Sequence, residues 1–228
     1  KAELIDMNVD IDDVNISTTA STVNITVSRG PGRMVLKNIT IIKPKADIVF
    51  LIDSTGSMGT EIKDVNSTIV EFTEILEERG GGEDPIDYRL ALVEFKDYPK
   101  SPCGWTGDFQ SNISKFGTEY FTTDVEAYRK IVGGMTAVGG SDSPESHLTA
   151  IKEAIDNLDF REEQPGFKKF FILLTDEKPH AKDCTCNIGE GCYDGSTYNG
   201  TCYLGPETVQ EITDELVANN IIFYYVNK

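Results

Sequence analysis

The stretch of sequence that is most informative about the fold is Ile48-Val49-Phe50-Leu51-Ile52-Asp53-Ser54-Thr55-Gly56-Ser57. Its five consecutive apolar residues are typical of a parallel β-strand that is buried on both faces. The apolar run ends at Asp53, where a short polar loop with one glycine begins. A helix is expected next, because apolar residues then recur every three or four positions. These residues are Ile62, Val65, Ile69, Phe72 and Leu76.

Strands and helices alternate through the rest of this part of the chain. Further strands are predicted at residues 89–95, 120–122, 170–174 and 221–226. Helices are predicted after Asp124, after Glu145 and around residues 209–216. Alternation of this kind places helices on both faces of a parallel sheet. The predicted fold class is therefore α/β, a Rossmann-like doubly wound, mostly parallel sheet flanked by helices, over residues 46–228.

Residues 1–45 have a different pattern, rich in Val, Ile, Thr and Asn. The segment Val23-Asn24-Ile25-Thr26-Val27 alternates apolar and polar residues, as a half-buried strand does. We predict a small N-terminal β segment that packs on the main domain or belongs to a neighbouring sandwich. The chain starts at Lys1 rather than Met, and the final helix expected after Val226 is missing. We therefore expect this stretch to be part of a larger surface protein.

The charge balance is strongly acidic. The chain has 21 Lys and Arg against 38 Asp and Glu, a formal net charge of −17. Such a charge repels nucleic acid and anionic membrane surfaces, so no nucleic-acid partner is expected. No apolar run approaches the ~20 residues that span a bilayer, so no membrane insertion is expected within this stretch.

Cysteines and glycosylation motifs indicate an extracellular protein, secreted or at the cell surface. Four cysteines crowd one loop and a fifth lies apart: Cys184, Cys186, Cys192 and Cys202, and Cys103. Crowding of this kind indicates either disulfide bonds in an oxidising compartment or a zinc site. Six Asn-x-Ser/Thr motifs favour the disulfides, because such motifs are glycosylated in secreted proteins. They begin at Asn15, Asn24, Asn38, Asn66, Asn112 and Asn199.

Acidic and hydroxyl side chains follow three predicted strand ends or loops. Asp53, Thr55 and Ser57 place three oxygens on one side of the first loop, Glu145 lies in a second loop, and Asp176 ends a third strand. In open α/β sheets, ligands bind beyond the carboxyl ends of the strands. Mg²⁺ prefers six oxygen ligands at about 2.0–2.1 Å. Hydroxyl ligands add no charge, so the cation can still accept a carboxylate from outside.

The motifs resemble a known family. Asp53-Ser54-Thr55-Gly56-Ser57-Met58 resembles the metal-ion-dependent adhesion site of von Willebrand factor A domains, with Thr55 where the family usually has Ser. The resemblance is strongest to the A-type domain of integrin β subunits. Three further segments carry it: Glu94-Phe95-Lys96-Asp97-Tyr98-Pro99, Asp142-Ser143-Pro144-Glu145 and Leu174-Thr175-Asp176-Glu177-Lys178-Pro179-His180.

The resemblance implies a principal cation, Mg²⁺ or Mn²⁺, surrounded by five residues. They are Asp53, Thr55, Ser57, Glu145 and Asp176. Asp53 and Asp176 would act largely through water or hydroxyl groups, and Glu145 would be a direct carboxylate ligand. Other branches of the fold use a Thr from the middle loop, which would be Thr136 here in place of Glu145.

The resemblance also implies a second cation, Ca²⁺, beside the first. Its ligands would be Asp97, Asp142, the Pro144 carbonyl and Glu145. The family has an Asn two residues before the Asp, and this position is Gly140 here. The second site therefore lacks one family ligand.

Three classes of function remain for comparison. The first is an adhesion or ligand-binding domain in which the bound cation captures an acidic residue of a protein partner. The second is a glycosylated surface-layer or filament subunit that a cation stabilises. The third, an enzyme, is not expected, because no motif supplies an activated nucleophile. Nearby, His147 is expected on a helix surface and His180 at the rim of the site, while Lys96 and Lys178 would offset neighbouring acids.

Overall fold

The computed structural model divides the chain into two compact units, Lys1–Pro44 and Lys45–Lys228. In the first unit it describes the strands β1 (Asp13–Thr19), β2 (Thr22–Ser28) and β3 (Leu36–Ile42). These strands form an antiparallel sheet in the order β1-β2-β3. From there onward it describes residues 44–80, 86–97, 107–140, 145–181 and 206–226.

The second unit is a sheet with helices on both faces. Its strands are β4 (Lys45–Asp53), β5 (Asp87–Phe95), β6 (Asn112–Ile113), β7 (Phe167–Leu174) and β8 (Ile221–Val226). Its helices are α1 (Glu61–Gly80), α2 (Val125–Gly133), α3 (His147–Asn157) and α4 (Val209–Ala218). The sheet order is β6-β5-β4-β7-β8, and only β6 is antiparallel to its neighbour. The predicted α/β fold, with a mostly parallel sheet, is confirmed.

The central strand β4 is apolar on both faces because a helical layer covers each one. Val49 and Leu51 belong to the core that includes residues of α3 and α4. Ile48, Phe50 and Ile52 belong to the core on the opposite face, which includes residues of α1 and α2. A strand enclosed in this way has no solvent face, which explains its continuous apolar run.

One predicted strand is wrong. Residues 120–122 do not form a strand, and the antiparallel edge of the sheet is β6, earlier in the chain. Thr122 makes only an isolated bridge, with reciprocal hydrogen bonds of 2.8 and 2.9 Å to Leu90. The pairing stops there because Asp124 caps α2, accepting a hydrogen bond of 2.9 Å from the Ala127 amide. The helix predicted after Asp124 is thus confirmed.

A buried ion-pair network fixes the amino-terminal end of the sheet. The Asp47 side chain has 0% of its surface exposed and accepts hydrogen bonds from Arg89 and Arg161. Arg89 donates from Nε and a terminal nitrogen at 3.0 and 2.7 Å, and Arg161 donates from its amide and Nε at 2.9 and 2.8 Å. A buried carboxylate is tolerated when its oxygens are fully hydrogen-bonded in this way.

Replacing Asp47 by Ala is expected to lower the free energy of unfolding by about 3 kcal/mol, because two arginines lose their shared buried partner. Denaturant unfolding followed by circular dichroism measures the change. The control is Asp156→Ala, which removes the exposed pair of Asp156 with Lys152 and is expected to change stability by less than about 0.5 kcal/mol. Equal effects of the two substitutions would contradict the assignment.

Candidate metal centre

The predicted metal ligands lie at the carboxyl ends of the central strands. Asp53 is the last residue of β4, and Thr55 and Ser57 follow in the loop and short 3₁₀ turn that lead to α1. Asp176 follows β7 after one residue, Thr175. Glu145 lies beside this exit, because its amide donates to the Lys178 carbonyl at 2.9 Å and its carbonyl accepts from the His180 amide at 2.9 Å.

Asp53 is buried and held by hydroxyl groups. Its Oδ1 accepts from the Thr55 amide at 2.8 Å and from Thr55 Oγ1 at 2.7 Å, and its Oδ2 accepts from Thr175 Oγ1 at 2.7 Å. Burial raises the pKa of the Asp53 carboxyl, the hydrogen bonds from Thr55 and Thr175 oppose the rise, and the negative charge of Asp176 adds to it. A positive charge placed here would therefore stabilise the ionised carboxylate.

A line of hydroxyl groups connects Asp53 to Asp176. Thr55 Oγ1 lies 3.0 Å from Ser57 Oγ, and Ser57 Oγ donates to Asp176 Oδ1 at 3.1 Å. Thr55 is buried, whereas Ser57 is exposed, so the line runs from the core to the surface. The structure thus brings four of the five predicted ligands into one connected set.

The glycine loop before the 141–144 segment brings Glu145 to the same place. Gly139 and Gly140 have positive φ angles of 89° and 70°, and the Gly139 carbonyl accepts from the Gly56 amide at 2.9 Å. A Cβ at Gly140 would lie 3.1 Å from Thr55 Cβ and 3.4 Å from Glu145 Oε1. Thr55 and the buried Glu145 carboxylate therefore border the same point. Thr136, the alternative to Glu145, is exposed.

The donor chemistry of this set fits a hard divalent cation. Among the residues that the structure describes, no three His, Cys, Asp or Glu side chains are grouped as metal ligands. The set instead combines carboxylate and hydroxyl oxygens, and Mg²⁺ prefers oxygen ligands. Each carboxylate only accepts hydrogen bonds, so Thr55 and Ser57 give their protons to Asp53 and Asp176 respectively. When both donate in this way, lone pairs of the two hydroxyl oxygens face each other; otherwise one hydroxyl donates to the other.

The 3.0 Å separation of these two hydroxyl oxygens suits a shared cation. Adjacent ligands of an octahedral Mg²⁺ at about 2.0–2.1 Å are separated by about 2.9 Å. Two lone pairs at this distance repel each other unless a positive charge lies between them. The residues present therefore fit the cation that the sequence motif implies.

The predicted second site is described only in part. Asp142 and Pro144 lie outside the described residues. Asp97 is fully buried, and its Oδ1 lies 3.1 Å from Nε2 of His180. The Asp97 carboxyl is therefore already paired within the protein.

Both histidines lie elsewhere than expected, because each is buried. His180 lies against Asp97 and is buried, rather than exposed at the rim of the site. His147 was expected on a helix surface, but it begins α3 inside the core, where its ring meets Phe95 edge-on at 5.9 Å. Burial lowers the pKa of His147 to about 3, and the neighbouring His180 adds to the shift. Helical spacing does not reveal that the first turn of α3 abuts the sheet.

Sequence reasoning missed the participation of Lys96 and Asp108 in the loop structure. Lys96 was expected only to offset acids, but it is buried and donates to two loop carbonyls. Asp108 Oδ2 accepts from the Gly140 amide at 3.1 Å, and a Cβ at Gly139 would overlap its Oδ1. Tandem glycines near an acidic loop were the available signal, because only glycine leaves room for this approach.

The remaining predicted sites differ in how far the structure describes them. Asn112 is exposed on β6, whereas Asn66 is half-buried in α1. With its amide nitrogen turned inward, Asn66 donates to the Ile62 and Val132 carbonyls at 3.3 and 3.1 Å. Asn15, Asn24 and Asn38 lie in β1, β2 and β3. Asn199 and all five cysteines lie outside the described residues. None of the described helices is long and apolar enough to span a membrane.

Comparisons with known proteins agree with this architecture. von Willebrand factor A domain-containing protein 7 of Homo sapiens is 30% identical over 115 residues, which are 50% of this chain and 10% of that protein. Alpha-protein kinase vwkA of Dictyostelium discoideum is 22% identical over 179 residues, 78% of this chain and 24% of that protein. The chain therefore spans only a small part of these relatives.

A solved structure shares the fold. The pilus adhesin SpaC of Lactobacillus rhamnosus GG, in its open conformation, matches with a TM-score of 0.51 and 16% sequence identity. The match covers 93% of this chain and 27% of that chain. The sequence profile of the von Willebrand factor A domain matches residues 47–189, from β4 to beyond the exit of β7. Because this match covers more than half of the sequence, the chain belongs to the von Willebrand factor A domain family.

Proposed function

We propose that this chain is an extracellular, metal-dependent adhesion or ligand-binding domain. Asp53, Thr55, Ser57, Glu145 and Asp176 would hold Mg²⁺ or Mn²⁺, and a protein partner would present an acidic residue to it. The observation that carries this proposal is the facing pair of hydroxyl oxygens, 3.0 Å apart, with a carboxylate accepting the proton of each. We also propose that, within the family, the domain is most similar to the A-type domain of integrin β subunits.

The residues of the chain prepare such a site before any ligand arrives. Asp53 orients the Thr55 hydroxyl, and Asp176 orients the Ser57 hydroxyl, so that the lone pairs of both face one point. A bound divalent cation would supply a Lewis-acidic coordination position for the carboxylate of the partner. Because Thr55 and Ser57 are neutral ligands, they leave more of the positive charge of the cation uncompensated than carboxylates at the same positions would. The exposed Ser57 keeps one side of the site open to a partner.

The extracellular location is supported by features of different kinds. Six glycosylation motifs and the crowded cysteines favour an oxidising compartment. Asn112, one of these motifs, is exposed on the described surface. The fold match to a protein described as a pilus adhesin is consistent with a role in surface attachment.

Asp53→Ala and Thr55→Val are each expected to weaken Mg²⁺ and Mn²⁺ binding by about 10- to 100-fold. The first removes the carboxylate that orients the loop, and the second removes one hydroxyl oxygen while keeping the side-chain shape. Isothermal titration calorimetry measures both affinities. The control is Asp64→Ala, which removes an exposed acid from the first turn of α1. Cation affinity equal to wild type in Asp53→Ala would reject the metal site.

The cation affinity is expected to fall as the pH is lowered. Protons compete with the metal for a ligand carboxylate, and burial raises the pKa of Asp53 above 3.8. The loss of affinity should therefore begin at a higher pH than an ordinary aspartate would give. Calorimetric titrations with Mg²⁺ at a series of pH values test this expectation. Constant affinity down to pH 3.8 would contradict it.

Peptides that contain Asp or Glu are expected to bind the domain in Mg²⁺, whereas matched peptides with Asn or Gln are not. Surface plasmon resonance with a peptide panel measures the difference, and addition of a chelator should abolish binding. Asp53→Ala should bind neither set. If the cation raises the melting temperature but no acidic peptide binds, the domain has the stabilising, structural cation instead.

A further inference from the structure

The Lys96 ammonium group lies buried at the base of the candidate metal centre. Only 5% of the Lys96 surface is exposed. Its Nζ donates to the Ser54 carbonyl at 2.7 Å and to the Val138 carbonyl at 2.5 Å. A lysine is rarely buried without a partner of opposite charge. Two neutral carbonyls alone do not explain why a cation is placed here.

The two carbonyls belong to the two loops that form the site. Ser54 stands between Asp53 and Thr55. Val138 precedes Gly139 and Gly140, the second of which borders Glu145. The loops are also joined directly, since the Val138 amide donates to the Ser54 carbonyl at 3.0 Å. Lys96 therefore holds a position common to both loops, one of which carries Asp53 and Thr55.

Lys96 is joined to acidic residues through the same loops: Ser54, whose carbonyl it binds, donates from Oγ to Glu94 Oε1 at 2.6 Å and directly follows Asp53. Burial lowers the pKa of Lys96, while Glu94, Asp108, Asp53 and Glu145 each act in the opposite direction and favour its charged form. Asp53 and Glu145 are also two of the proposed metal ligands. The same negative charges therefore attract Lys96 and would attract a divalent cation.

We propose that Lys96 is a resident counter-charge that substitutes for the divalent cation when the site is empty. This inference rests on the proposed metal site. The ammonium group offsets the repulsion among the buried carboxylates, so the cation-free domain stays folded. The same positive charge opposes the incoming cation and sets its affinity lower than the acids alone would give.

If Lys96 has this role, its charge determines how strongly the stability of the domain depends on the bound cation. Removing its charge leaves the acids uncompensated, which destabilises the cation-free domain more than the cation-bound domain. By linkage, the variant must then bind the cation more tightly than wild type does. A residue that only tethered the two loops would give the reverse result, because loosened loops bind more weakly.

The experiment compares Lys96→Met with wild type in a chelator and in Mg²⁺. Thermal unfolding followed by circular dichroism should give a lower melting temperature for Lys96→Met in the chelator, and Mg²⁺ should restore most of the loss. Calorimetry should give about tenfold tighter Mg²⁺ binding. Lys96→Arg, which keeps the charge, should behave like wild type. Lys178→Met is the matched control, because Lys178 is exposed in the same region.

The outcomes separate the two proposals. If wild type binds no Mg²⁺, the proposed metal site fails. If wild type binds but Lys96→Met binds equally or more weakly, the counter-charge role is overturned while the site stands. Lys96→Gln keeps a hydrogen-bond donor without the charge and should resemble Lys96→Met. If both neutral variants are unfolded and Mg²⁺ rescues neither, Lys96 is not replaceable by a cation and the inference is wrong.

Discussion

The hydrogen bonds of Asp53 to Thr55 and Thr175 are the interaction on which the site depends. They join the exit of β4 to the exit of β7, its parallel neighbour in the sheet. Parallel register places Ile52 opposite both Glu94 of β5 and Leu174 of β7, so the three strands end at one level. Loops that follow these strands must therefore meet, and Asp53 lies between them. The fold supplies the meeting point, and the hydroxyl residues supply its chemistry.

The buried carboxylates at the two ends of the sheet have different hydrogen-bond donors. At the amino-terminal end, Asp47 is neutralised by two arginines that bond it directly. At the carboxyl end, Asp53 receives hydrogen bonds from hydroxyl and amide groups, none of which carries a charge. The first arrangement is complete within the chain and serves stability. The second has no cationic group bonded to Asp53, and it is the arrangement to which we propose that a divalent cation binds. This difference is the reason why we assign Asp47 a structural role and propose a binding role for Asp53.

Membership of the von Willebrand factor A domain family explains the fold but does not by itself specify a partner. The human and Dictyostelium discoideum proteins that match in sequence, and the bacterial protein that matches in fold, bear names as different as a kinase and a pilus adhesin. A common fold hosts different functions through the residues at its binding edge. Here that edge combines an exposed Ser57 with a deeply buried Glu145. In the proposed function, the acidic residue of a partner would therefore approach from the side of Ser57.

Local sequence patterns were sufficient to predict the α/β fold and the composition of the first loop of the candidate metal centre. Apolar runs and helical spacing are local signals, and Asp53, Thr55 and Ser57 lie within five consecutive positions. Three features depend on the tertiary structure. Glu145 borders Thr55, whereas Thr136 is exposed. His147 is buried, and Lys96 is hydrogen-bonded to both loops. Lys96 contacts Ser54 and Val138 from 42 positions away in each direction. No local sequence pattern indicates such a contact, because the contact forms only when separate strands end side by side.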